Sequence, residues 1–299
     1  MNCRLPIAGS RWSESKDRRR AWSDAPYHNA RPASAFTLLE LLAVIAILGI
    51  IGALTVPALK NFGKSDASLT AAQQILRDVA RARQLAIADR TTIYMVFVPM
   101  NFWTNTAWSN AMTPQQLIVV SNLCDDQLSG YNFVAYGALG DQPGKHQWHY
   151  LGPWQNLPQG NFIATWKFTN SQALTFTDPF NNQNTFNINP FSYTNVIPFP
   201  SESATNAPTQ PWLPYLEFNY LGQLVLPQYA DQDYAGSGID IPLDKGTVLA
   251  AVNPATKAFV FDTAQIIETP PGNSTNIQYS VLHIDPLTGR GTLLFHPIQ

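Results

Sequence analysis

The sequence predicts an α+β protein, with a long amino-terminal helix packed on an antiparallel β-sheet. Three observations predict it. Residues 36–59 form an apolar run with a single charge, residues 69–86 space apolar side chains as a helix does, and the remaining two-thirds alternates β-branched and aromatic stretches with turn residues. Of 299 residues only 13% are charged, against roughly 25% in ordinary soluble domains. With 12% aromatics, 23 Pro and 17 Gly, the body reads as turn-rich and packed by aromatics rather than disordered.

Residues 1–35 carry 7 basic and 3 acidic side chains, with Arg18, Arg19, Arg20 and Arg31 close before the apolar run. Residues 91–299 carry 5 basic and 13 acidic side chains. A basic head that stays in the cytoplasm and an acidic body on the far side follow from that asymmetry. The two cysteines are Cys3 and Cys124. Once a leader containing Cys3 is removed, no intramolecular disulfide can form, and Cys124 reads as a small buried hydrophobe.

The run FTLLELLAVIAILGIIGALTVPAL covers 24 residues, and Glu40 is its only charge. At about 1.5 Å per residue it reaches roughly 36 Å, enough for a bilayer core of about 30 Å. A cleavable secretory signal has an apolar core of about 7–15 residues, so this run is too long for one. A carboxylate inside such a helix costs on the order of 2.5–3.5 kcal/mol, so Glu40 requires a partner. Pro57 removes a backbone hydrogen bond, and Gly49 and Gly52 allow close helix approach.

A continuation of the helix, capped by Ser65 or Asp66, is predicted to present Leu69, Ala72, Leu76, Val79, Ala82 and Ala86 to the sheet, with Arg77, Asp78, Arg81 and Asp89 largely off that stripe. Residues 91–98 read as a strand, and further strands are expected at 116–120, 162–168 and 173–176. Residues 181–214 are so rich in Asn, Pro, Ser and Thr that they read as a long loop. A closing hairpin is predicted from 278–284 and 292–295, turning through Pro286 and Gly289.

Ser34-Ala35-Phe36-Thr37-Leu38-Leu39-Glu40 resembles the processing site of type IV pilin-like prepilins, usually a glycine followed by Phe-Thr-Leu-Ile-Glu; Ala35 stands in the glycine's place. The resemblance implies a pilin-like fold and a structural subunit. A prepilin peptidase would cut between Ala35 and Phe36 and methylate the new Phe36 amine. Glu40 would neutralise that amine on a neighbouring pilin or pseudopilin subunit, making two costly charges tolerable as a pair. Pro57, 21 residues after Phe36, matches a proline common in these assembly helices.

The chain then divides into a cytoplasmic leader (1–35), a transmembrane and assembly helix (36–59), an amphipathic stem (60–90) and a periplasmic β-rich domain (91–299). The stretch 82–98, the segment 215–222 and the closing hairpin are similar to H-type minor pseudopilins; residues 100–214 form an insertion without a counterpart. The implied role is a minor pseudopilin of a type II secretion-like machine in the inner membrane. The alternatives are a minor pilin of a surface fibre, used in adhesion or DNA uptake, and an uncleaved single-pass protein with a ligand-binding periplasmic β-domain.

Other chemistry is sparse. His146 and His149 have a spacing that suits a metal on a helix, but packed or surface histidines are expected. Asp231, Asp233, Asp240 and Asp244 echo a calcium loop, yet Ala235 and Pro242 occupy ligand positions, so no cofactor is expected and calcium is the one candidate. No nucleophile elbow, phosphate loop or zinc-protease signature occurs, and catalysis is not expected. The acidic body disfavours nucleic acid as a partner.

Overall fold

The computed structural model describes residues 37–104, 108, 110–137, 141–142, 145–169, 172–177, 183–206, 211–226, 238–256, 259–273 and 280–295. Within these, the side chains of 53–66, 172–177, 183–188, 205–206 and 295 are outside the description. The expected leader, with Ala35 and Phe36, lies outside the described residues, as do Asp231 and Asp233. The fold is α+β, as predicted from sequence, and consists of two compact units, Met1–Leu54 and Thr55–Gln299.

In the first unit, helix α1 (Leu38–Asp89) begins. Its large apolar side chains from Leu38 to Ile51 are all exposed, up to 82% at Leu38. Among the described residues no helix is long and apolar enough to cross a membrane. The predicted span of 36–59 has described side chains only over 37–52. Pro57 and the expected cap at Ser65 or Asp66 fall inside α1, which continues through them without a second start.

In the second unit, the latter part of α1 buries Ala71, Ala72, Ile75, Val79, Ala82 and Ala86. The predicted stripe needs two corrections. Leu69 is 37% exposed, and Asp78, expected off the stripe, is buried at 3%. Alanine at four of the buried positions lets the helix lie close to the sheet, and it brings Asp78 within reach of a partner. Tyr131 Oη donates to Asp78 Oδ2 at 2.5 Å, and Gln74 Nε2 donates to Tyr131 Oη at 2.7 Å. Arg81 lies over the Phe133 ring at 5.3 Å.

The helix packs on two antiparallel sheets. The first has the order β3 (Trp148–Tyr150), β2 (Gly130–Tyr136), β1 (Thr92–Phe97), β8 (Tyr215–Phe218), β9 (Leu224–Val225), with β4 (Gln155–Asn156) also on β2. The second has the order β11 (Gln265–Glu268), β10 (Ile239–Leu249), β12 (Ser280–Ile284), β13 (Gly291–Phe295), with β5 (Asn161–Ile163) also on β10. A hairpin of β6 (Gln172–Thr177) and β7 (Gln183–Ile188) stands as a separate pair.

β1 explains the layering. Its Ile93, Met95 and Phe97 join the helix-facing core with Tyr131, Phe133, Leu216, Ile241 and Leu282. The alternate residues Tyr94, Val96 and the following Val98 face a second core with Trp108, Val120, Leu123, Phe199 and Tyr215. Side chains alternate across a strand, so an unbroken apolar run is a strand covered on both faces.

That second core corrects the reading of the middle of the chain. Residues 116–120, expected as a strand, lie in helix α2 (Pro114–Leu123). Thr113 Oγ1 accepts from Gln116 N at 3.3 Å, Thr113 N donates to Gln116 Oε1 at 2.9 Å, and Pro114 occupies the first helical turn. This reciprocal cap outweighs the β-propensity of Ile118, Val119 and Val120. The expected strand 162–168 ends at Ile163 and becomes a 3₁₀ turn, Thr165–Phe168. Residues 181–214, read as loop, contain β7 and a 3₁₀ segment, Glu202–Asn206, and bury Phe191, Ile197, Phe199 and Leu213. The expected strands at 91–98 and 173–176 and the closing hairpin are present as β1, β6 and β12–β13.

Candidate functional site: the amino-terminal helix start

The site predicted to be processed and assembled begins at Thr37. Leu38, Leu39 and Glu40 form the first turn of α1. Thr37 Oγ1 accepts a hydrogen bond from Glu40 N at 3.2 Å, while Thr37 O accepts from Glu40 N at 3.0 Å and from Leu41 N at 3.1 Å. Thr37 is therefore the N-cap and Glu40 the third helical residue. Thr37-x-x-Glu40 is the Thr-x-x-Glu spacing of a capping box, and the threonine half of that box is formed. The sequence motif contains Thr37, and its Thr-x-x-Glu spacing is the local signal for this helix start.

Glu40 is exposed and lies where the helix dipole favours a negative charge, by about 0.3–1 kcal/mol at an exposed site. It is surrounded on the helix surface by Leu39, Leu41, Leu42 and Val44, all exposed. Full burial of each such side chain is worth about 1.5–3 kcal/mol, so this surface gains strongly from any apolar cover. Among the described residues Glu40 has no ion-pair partner; a carboxylate on such a helix then needs a cation wherever the helix is buried. Pro57 lies within α1, its side chain outside the description.

The other residues singled out from sequence are dispersed over the second unit. Asp240 on β10 bonds His283 Nδ1 on β12 at 2.7 Å, and this bond holds the His283 imidazole above its ordinary pKa. Asp244, four residues along β10, is fully buried; Lys245 N donates to its Oδ1 at 2.7 Å and Asn273 Nδ2 donates to the same oxygen. Burial pushes the Asp244 carboxyl up to about 6. Among the described residues no group of three or more His, Cys, Asp or Glu side chains is placed to hold a metal ion.

His149 Nε2 lies 3.1 Å from Asp141 Oδ1, and its Nδ1 lies 3.8 Å from Glu202 Oε2. His146 packs against the Tyr136 ring with centroids 5.4 Å apart. Cys124, the C-cap residue of α2, is buried, and burial pushes its thiol up to about 11. Lys167 is also fully buried, with Nζ donating to Asn189 O at 2.5 Å and lying over Phe191 at 4.8 Å; burial lowers its pKa to about 7.

Residues 31–56 match the family described as the prokaryotic N-terminal methylation motif. The match brackets Ala35, Phe36, Thr37 and Glu40. It supports a type IV pilin-like prepilin and a membrane-anchored, cell-envelope location, and it implies processing by a prepilin peptidase and assembly with pilin-type subunits. No curated protein and no solved structure matches the chain.

Proposed function

We propose that this prepilin-type chain is a non-catalytic structural subunit, a minor pseudopilin of a type II secretion-like periplasmic filament. The peptidase cuts between Ala35 and Phe36 and methylates the Phe36 amine. The apolar helix holds the subunit in the inner membrane, with the leader cytoplasmic and residues 91–299 periplasmic. On assembly, Glu40 of one subunit meets the Phe36 amine of another inside a bundle of these helices.

The observation that carries this reading is the combination of a methylation motif with a helix whose apolar side chains from Leu38 to Ile51 are all exposed around the single charge of Glu40. A bilayer followed by a helical bundle covers that surface in both stages, and the amine supplies the cation. Burial of Lys167 and Lys245 leaves the acidic body with fewer cations for a phosphate backbone, which supports a role other than DNA uptake.

Glu40→Ala tests the reading. The variant is expected to be cleaved normally and to be missing from the sheared or purified filament fraction. Assembly at the wild-type level would refute the charge pairing. Deleting the gene separates secretion from adhesion, because a pseudopilin's loss stops export whereas a fibre pilin's loss stops attachment.

A further inference from the structure

A cleft of about 620 Å³ opens at the junction of the two sheets in the second unit, far along the chain from the helix start. Its walls come from the end of α2, the turn leading into β2, the segment joining β4 to β5, and the last part of β10. Six of its side chains are polar and uncharged: Asn122, Ser129, Asn156, Gln159, Asn161 and Thr247. Among the described residues that line it, Asp125 and Asp126 are the ionisable ones.

The cleft has an apolar floor and a polar rim. Leu157 and Phe162 are buried, and Phe259 is half-buried. Asn161 is 5% exposed; its Nδ2 makes only a long bond to Pro158 O, 3.4 Å, and its amide oxygen has no hydrogen-bond partner among the described residues. The hydrogen-bonding capacity that the Asn161 amide does not use within the protein is available to a ligand's hydroxyls. Asn156 Nδ2 donates to Asp126 Oδ1 at 2.7 Å, which holds that carboxylate in place and uses one of its oxygens.

We propose that this cleft binds a neutral saccharide. Amide side chains offer two donors and an acceptor each, matching hydroxyls that donate and accept at once. The free oxygens of Asp125 and Asp126 accept from further hydroxyls. Phe259 and Leu157 offer apolar surface to the C–H face of a pyranose. The Asp125 and Asp126 carboxylates repel phosphates, sulfates and acidic sugars. A cationic ligand fits less well, because uncharged polar groups outnumber the carboxylates six to two and one carboxylate oxygen is already engaged.

None of the described lining residues belongs to the methylation motif at 31–56, so saccharide binding and filament assembly are separable. The test uses the full chain in dodecyldimethylamine oxide micelles, a detergent without a sugar headgroup. It is applied to an array of neutral glycans, followed by saturation-transfer NMR with the glycans retained and with argininamide as a cationic probe. Saturable binding of a neutral glycan is expected. Asn161→Ala should weaken it about tenfold, the equivalent of about 1.4 kcal/mol. Gln159→Ala, on the exposed rim and without consequence for folding, should weaken it measurably, and Asp125→Asn should weaken it less than Asn161→Ala does. No saturable glycan binding would overturn the proposal. So would glycan binding indifferent to both Asn161→Ala and Gln159→Ala, or binding of argininamide that excludes sugars and is lost in Asp125→Asn.

Discussion

Glu40 and Thr37 divide one chemical task. Thr37 satisfies the amide of Glu40 at the helix start, so the carboxylate side chain is left available for another partner. Thr37→Ala removes that cap and is expected to cost about 1 kcal/mol of helix-start stability, visible as faster amide exchange at Leu39 and Glu40. Asp244 makes a different prediction. Its Oδ2 is a buried acceptor without a hydrogen-bond partner among the described residues, and protonation removes the charge that burial penalises. Its pKa is raised to about 6 in the fold, against about 3.9 unfolded, so the native state takes up the proton first. Stability contributed through this group therefore grows as pH falls through about 6 toward about 4. Urea midpoints across that range should show the rise in the wild type and a smaller one in Asp244→Asn. Glu40 was conspicuous in the sequence as a lone charge. Asp244 was visible only as one of several aspartates, because burial is decided by β-strand partners distant in sequence.

At the scale of elements, the stem helix and the closing hairpin are held by specific polar contacts. Tyr131 Oη is the donor that satisfies buried Asp78, so Tyr131→Phe is expected to destabilise the second unit by about 1–3 kcal/mol, measured by denaturant unfolding. At the hairpin, Thr288 N and Oγ1 both donate to Asp285 Oδ1, at 2.7 and 2.8 Å, and Arg83 Nε from the stem donates to Thr288 O at 2.6 Å. Gly289 has φ +62°, and an added Cβ would come within 2.1 Å of Gly222 O. Gly289→Ala should therefore lower stability by more than about 1 kcal/mol and loosen the contact with Arg83. Pro286 and Gly289 announced this turn in the sequence. The continuous apolar run at 92–97 announced β1, and its burial on both faces follows from the same run. Helix α2 is hard to read from sequence because Ile118 to Val120 have strand propensity, while the deciding signal, Thr113-Pro114-x-Gln116, lies just before them.

For the molecule as a whole, residues 100–214 do more than extend a loop. They supply Trp108, Leu123, Phe199 and Leu213 to a second core behind β1, and most of the cleft lining. This was hidden in the sequence because its apolar residues are separated by Asn and Pro rather than spaced with a helical or strand period, so no periodic signal marks them as core. The amino terminus was legible for the opposite reason: an uninterrupted apolar run, one carboxylate and a Phe-Thr-Leu-Leu-Glu start occupy a few contiguous residues. The proposed processing of this terminus carries the helix into a filament. Intact mass and amino-terminal sequencing of the protein recovered from membranes test it most directly. A mature chain beginning at N-methylated Phe36 is the predicted result. A chain still carrying residues 1–35, in cells whose prepilin peptidase is active, would contradict it.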